Sequence, residues 1–104
     1  MEFLARLEQT VSPDMDPDRL AEIKAAEYAR GRELARAGIM RRIWRLPGRR
    51  ATMVLYDVAS IDELHEVISS LPLFPWFDVT ITPLGSHQLD PGHGQADNDE
   101  EEPL

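Results

Sequence analysis

The chain contains no cysteine. That excludes a disulfide framework, a thiolate nucleophile and any cysteine-ligated zinc or iron–sulfur centre. It also accords with a reducing compartment, and the expected location is cytoplasmic. No apolar run approaches the ~20 residues that a membrane-spanning helix needs. The opening MEFLARLEQ carries an acid at position 2 and no basic stretch, unlike a secretory leader. There is no G-x-S-x-G, Walker loop or dinucleotide fingerprint, and the six glycines are scattered. The three histidines show no consistent spacing to acids, so no metal site is expected.

What is present suits one compact domain: 104 residues, 42% of them hydrophobic. The net charge of −8 is unevenly spread. Residues 85–104 hold six acids and no lysine or arginine; taking those six from the 19 acids leaves 13 against 11 bases in residues 1–84. The body is nearly neutral and the end strongly acidic. Almost nothing apolar follows Leu89, so residues 88–104 are expected to form a disordered acidic tail, solubilising rather than binding, after a domain at 1–87. Five arginines (Arg41, Arg42, Arg45, Arg49 and Arg50) crowd one ten-residue stretch. Beside an acidic tail they do not read as a nucleic-acid surface. They fit a small carboxylate ligand, or acids across strands or subunits.

Hydrophobic alternation predicts a strand over 2–11. Pro13 breaks it, Asp16 is a candidate N-cap, and Pro17 suits the first helical position. A long helix over 17–37 follows, with Gly38 as its stop. Residues 39–46 alternate again, placing Met40, Arg42 and Trp44 on one face and Arg41, Ile43 and Arg45 on the other. Pro47-Gly48 marks a turn into a strand over 51–58, so the pair forms a hairpin. Ser60-Ile61-Asp62-Glu63 is a capping box that starts a second helix on the Ile61-Leu64-Ile68-Leu71 stripe. LPLFP is a proline-bounded loop, and a last strand spans 76–82, ended by Pro83. The order βαββαβ predicts an α+β, ferredoxin-like fold: an antiparallel sheet with two helices on one face. The other face must meet water, a ligand or another subunit. Trp44, Tyr56, Phe74, Trp76 and Phe77 are many large rings for so small a core, so another chain is expected to cover some of them.

Glu27 stands out. At ~100° per residue it falls within roughly 60° of Leu20, Ile23 and Leu34, inside the apolar stripe of the first helix. A carboxylate there is paired or working. Desolvation would raise its pKa and suit it to proton transfer near neutral pH. Lys24, three residues earlier, is its neighbour on the helix, and the ammonium would keep it ionised. A purely structural Lys24–Glu27 pair is the competing reading. Gly31, one turn on, leaves space where a ligand could enter. His65 flanks the stripe of the second helix, either as a boundary residue or as a polar group of the site.

The segments DMDPDRLAEIKAAE, RRIWRLPGR, YDVASIDELHEVISSLPLFPWFDV and TPLGSH together resemble the muconolactone Δ-isomerase family from about residue 2 to residue 87. LPLFP followed by an aromatic, any residue and Asp-Val is the most distinctive stretch. The resemblance implies a cofactor-free isomerase of aromatic catabolism in the β-ketoadipate pathway. Such an enzyme moves the ring double bond of a small acidic lactone. The fold implied is ferredoxin-like, dimerising through its sheets and building larger rings, decamers in the type enzyme. Neither nucleic acid nor a membrane is an implied partner. Carried over by motif, Glu27 is the proton shuttle and Lys24 lies near the developing negative charge. Trp44 and His65 match the family's tryptophan and second-helix histidine and are expected to wall the pocket and orient the lactone; beside those matches, Arg42 or Arg45 is expected to bind the substrate carboxylate and Phe74 to contact the substrate.

The chain departs from the family's W-R-H-L-W-R pattern at Met40 and Arg42. It also departs after the turn, at Arg49 and Arg50, and before His87, at Ser86. Those changes alter pocket shape and hydrogen bonding, so a substituted muconolactone or another small acidic lactone is also compatible. The alternative function is a non-catalytic ligand binder or assembly subunit on the same fold.

Overall fold

The computed structural model describes residues 1–93. Strand β1 (Glu2–Gln9) leads through a proline-containing turn to helix α1 (Pro17–Arg36). Strands β2 (Met40–Arg45) and β3 (Ala51–Asp57) form a hairpin. Helix α2 (Ile61–Ser69) follows, then a 3₁₀ turn at Phe74–Trp76 and strand β4 (Phe77–Leu84). All pairings are antiparallel, in the order β2-β3-β1-β4. This is the α+β, ferredoxin-like arrangement expected of βαββαβ.

Local chemistry sets the boundaries. Asp16 caps α1 through Oδ2, which accepts from Arg19 N–H at 3.0 Å, with Pro17 at the first position. The helix stops in a Schellman motif. Gly38 takes φ 75°, its N–H donates to Ala35 O at 3.1 Å, and Ile39 N–H donates to Leu34 O at 3.0 Å. In the hairpin, Arg49 N–H donates to Leu46 O across Pro47-Gly48, with Gly48 at φ 77°. Ser60 Oγ accepts from Glu63 N–H at 3.1 Å and starts α2. Among the described residues the reciprocal Glu63 bond of a full capping box is absent.

Strand β4 runs past the expected stop. Pro83 pairs with Phe3 and the strand continues to Leu84. As the edge strand, β4 has only one bonded flank, where a proline is tolerated. The second correction lies in β2. Its register shifts between Met40 and Arg42, leaving Arg41 as an extra residue opposite β3. Met40 is therefore in phase with Ile43 and Arg45 rather than with Arg42 and Trp44. Of the predicted tail at 88–104, Pro91–His93 form a short 3₁₀ turn and residues 94–104 lie outside those described.

The core lies between the sheet and the helices. Phe3, Ala5, Leu7, Val54 and Tyr56 rise from the central strands to meet Leu34 of α1 and Leu64, Val67 and Ile68 of α2. Each large apolar side chain buried there contributes roughly 1.5–3 kcal/mol. The two helices share this work unequally. The nine residues of α2 bury three side chains, whereas the 20 of α1 bury only Leu34. The middle of α1 is not sealed onto the sheet. The opposite sheet face carries Leu4, Arg6, Met53, Leu55, Arg42 and Trp44, and no other element among the described residues covers it.

Candidate active site

Beneath the loosely seated half of α1 is a cavity of about 570 Å³. That is within the size range of sites for small organic ligands. Its roof is α1, with Lys24, Glu27, Tyr28, Gly31 and Arg32. Its floor comes from β1 and β3, with Leu7, Thr52, Val54 and Tyr56. Met40, Ile43, Arg45, Arg49 and Arg50 close one side from the hairpin, and Leu71 and Leu73 close another from the segment after α2.

Glu27 is the only carboxylate among the described residues that line the cavity, and it is half-buried. Its Oε1 accepts a hydrogen bond from Leu73 N–H at 2.9 Å. Among the described residues Oε2 has no partner. Burial pushes the carboxyl pKa up from its ordinary 4.5, and the Leu73 bond pulls it down by less. One oxygen is thus held in place and the other is free to take a proton, at raised basicity.

Lys24 lines the cavity but is exposed, and among the described residues no ion pair joins it to Glu27. The Glu27 carboxylate turns towards the backbone after α2 rather than along its own helix. The structural-pair reading is therefore not what the geometry shows. Gly31 borders the same space, and a Cβ built there meets nothing within 4 Å.

The arginine cluster divides. Arg41 pairs with Asp57 at 3.2 Å and Arg49 with Glu8 at 3.3 Å, each joining neighbouring strands or their turn. Arg45 and Arg50 line the cavity without an ion-pair partner among the described residues. Arg42 stacks over Trp44, its guanidinium carbon 5.0 Å from the ring centroid. The bulge at Arg41 puts both on the open sheet face, so within one chain Trp44 does not wall the cavity and Arg42 does not reach it. His65 is exposed on α2 and lies outside the lining, and its carbonyl accepts from Ser69 Oγ. Phe74 packs half-buried against the core, also outside the lining. Of the residues singled out by motif, the structure brings together Glu27, Lys24 and Arg45.

Sequence reasoning misses Tyr28, Arg32 and the Leu73 amide. Lys24, Tyr28 and Arg32 are spaced four apart and form one row on α1, just beside the apolar stripe. That spacing is a usable signal. The Leu73 amide has none, since a backbone donor leaves no mark on composition.

A family model described as muconolactone delta-isomerase matches residues 1–90. A muconolactone delta-isomerase of Rhodococcus opacus is 40% identical over 88 residues, 85% of this chain and 95% of the relative. Muconolactone delta-isomerase 2 of Acinetobacter lwoffii is 42% identical over 87 residues, 82% of this chain and 91% of the relative. A crystal structure of muconolactone isomerase superimposes with TM-score 0.82 at 33% identity, covering 86% of this chain and 94% of that one. A 5-chloro-2-hydroxyhydroquinone dehydrochlorinase from Burkholderia phenoliruptrix shares the fold at TM-score 0.64 and 16% identity. With Glu27 in a cationic cavity beneath α1 and relatives matched over nearly their whole length, the chain belongs to the muconolactone Δ-isomerase family.

Proposed function

We propose that this protein shifts the ring double bond of muconolactone, or of a closely related small acidic lactone, by proton transfer through a dienolate. The observation that carries this reading is Glu27, set in the cavity with Oε1 held by Leu73 N–H and Oε2 without a partner among the described residues. The ring C–H of such a lactone is acidified by the conjugated carbonyl. Oε2 takes that proton, and the C–H electron pair moves into the ring to give a dienolate. The same carboxyl group returns the proton two ring carbons away. Its raised pKa brings its basicity nearer to that of the carbon acid, which favours both halves of the transfer. Lys24 lies close enough to the cavity to offset the developing charge, and Arg45 and Arg50 are placed to grip the substrate carboxylate. No step in this scheme calls for a cofactor.

We further propose a homo-oligomer, with dimers formed through the uncovered sheet face and larger rings built from them. Leu4, Met53 and Leu55 lie there half-buried beside Trp44, which is 40% exposed. On the same face Arg6 Nε is buried without a hydrogen-bond partner among the described residues. A second sheet laid across it would cover the apolar groups. The working unit proposed is residues 1–87, in the cytoplasm, followed by an acidic tail from residue 88.

Solvent deuterium uptake into muconolactone, followed by proton NMR with purified protein, tests the activity. Exchange at the ring carbons, together with the ultraviolet change of isomerisation, is the expected result. A protein that binds the lactone without exchange is instead a ligand-binding member of the fold. Elution at monomer mass on size exclusion would refute the assembly.

A further inference from the structure

Tyr56 is a buried titratable side chain for which the reaction described above has no use. It sits on β3, opposite Phe3 of β1 and Met40 of β2, on the sheet face beneath α1. The residue is 1% exposed, yet its side chain lines the same cavity as Glu27.

A buried phenol ordinarily hydrogen-bonds its hydroxyl. Among the described residues Tyr56 Oη has no such bond. Glu27 Oε1 accepts from Leu73 N–H, and Arg30 Nε donates to Ser70 Oγ. Arg6 Nε is the one side-chain polar atom, among the described residues, that is both unpartnered and fully sealed from solvent-sized space. Among the described residues the Tyr56 hydroxyl is unpartnered but not sealed, and the residue lines the cavity. A phenylalanine would fill the core without bringing a polar atom into it, so packing alone does not account for the hydroxyl.

We propose that Tyr56 is a further catalytic residue, whose hydroxyl donates a hydrogen bond to the lactone carbonyl oxygen, where the negative charge of the dienolate collects. This rests on the isomerase reading above. Glu27 reaches the substrate from α1, and Tyr56 reaches it from the sheet. The hydroxyl thus adds a neutral donor on the sheet wall to the charge that Lys24 offsets from the α1 wall. A donor in this position must keep its proton. Burial, reinforced by the Glu27 charge and only partly offset by Arg30, pushes the phenol pKa well above its ordinary 10.0. A neutral donor fixed in place before the charge develops is the kind of group that stabilises an oxyanion.

The test is Tyr56→Phe in the full chain, compared with the wild type for kcat, KM and the pH profile on muconolactone. Circular dichroism and the unfolding midpoint serve as controls for folding. The expected result is a fall in kcat of about a hundredfold, a KM within about threefold and an unmoved acid limb. A kcat within about twofold of wild type would overturn the proposal. So would an acid limb that shifts while the plateau rate holds, since the hydroxyl would then serve Glu27 and not the substrate. An inactive wild type would overturn both this proposal and the reading beneath it, whereas an active wild type with an equally active variant sinks this proposal alone. Should the variant fail to fold, 3-fluorotyrosine in the wild-type chain gives a second readout, because the chain has only two tyrosines. The buried fluorine resonance should shift when a saturated, unreactive lactone analogue binds, and an unmoved resonance at saturation would refute the contact.

Discussion

Replacing Glu27 with glutamine separates what the carboxylate does for the reaction from what it does for the fold. Glutamine has nearly the same volume and keeps an oxygen able to accept from Leu73 N–H, now 2.9 Å from Oε1. It loses charge and basicity. A hydrogen bond to a charged group is worth about 1.5–3 kcal/mol and a neutral one about 0.5–1.5 kcal/mol, so the weaker acceptor forfeits about 1 kcal/mol. Relief of burying a charge opposes that loss. The net stability change near neutral pH is expected to stay within about 1 kcal/mol. Activity, in contrast, should fall by about 10²–10⁴-fold, the usual contribution of a positioned base.

The pH dependence adds a sign. Desolvation raises the folded pKa of Glu27 above 4.5, so the native state holds this proton more tightly than the unfolded chain does. The stabilisation that follows is complete below 4.5 and is lost as pH rises through the raised folded value. Glutamine has no such proton to lose. The stability difference should therefore move in favour of the Glu27→Gln variant between about pH 4 and about pH 8, as read by urea unfolding. In the wild type the acid limb of kcat/KM should lie above 4.5 for the same reason. A glutamine variant that keeps activity within about tenfold, or that loses ground to the wild type as pH rises, would refute the reasoning. Glu27→Ala provides the contrast: it strands the Leu73 amide and should cost about 1–3 kcal/mol more than glutamine.

Gly31→Ala should raise the thermal midpoint, since a Cβ meets nothing within 4 Å and mid-helix glycine costs about 1 kcal/mol. The same methyl enters the cavity and should raise KM severalfold in steady-state assays. Arg45→Gln should raise KM at least tenfold with kcat largely kept, whereas Arg42→Gln, on the opposite sheet face, should leave both nearly unchanged in the same assay. Leu34→Ala removes the one side chain that α1 fully buries and should cost about 2–5 kcal/mol in urea unfolding.

Elements governed by local chemistry were legible. Pro17, Gly38 and Ser60 mark helix ends because caps and turns are decided within a few residues, and each does so in the structure. Glu27 stands out because a carboxylate at an apolar phase needs no tertiary information to be recognised. Trp44 is harder. Its face depends on an extra residue at Arg41, and a bulge arises from pairing between strands, which alternation within one strand does not record. Pro83 reads as a stop because its edge position follows from sheet order and not from its neighbours. The Leu73 amide becomes visible only when a segment 46 residues away in sequence is seen to fold against α1.

The extra residue in β2 carries a longer consequence. Beyond it, alternate positions answer to different demands. Ile43 and Arg45 meet whatever enters the hollow, while Arg42 and Trp44 meet whatever approaches from outside. Substitutions could therefore retune ligand grip and outer-surface affinity separately along one short ribbon. Deleting Arg41 would pair Met40 and Arg42 with consecutive residues of β3 and leave both allegiances as they are, so this strand can lose its bulge but not the alternation beyond it.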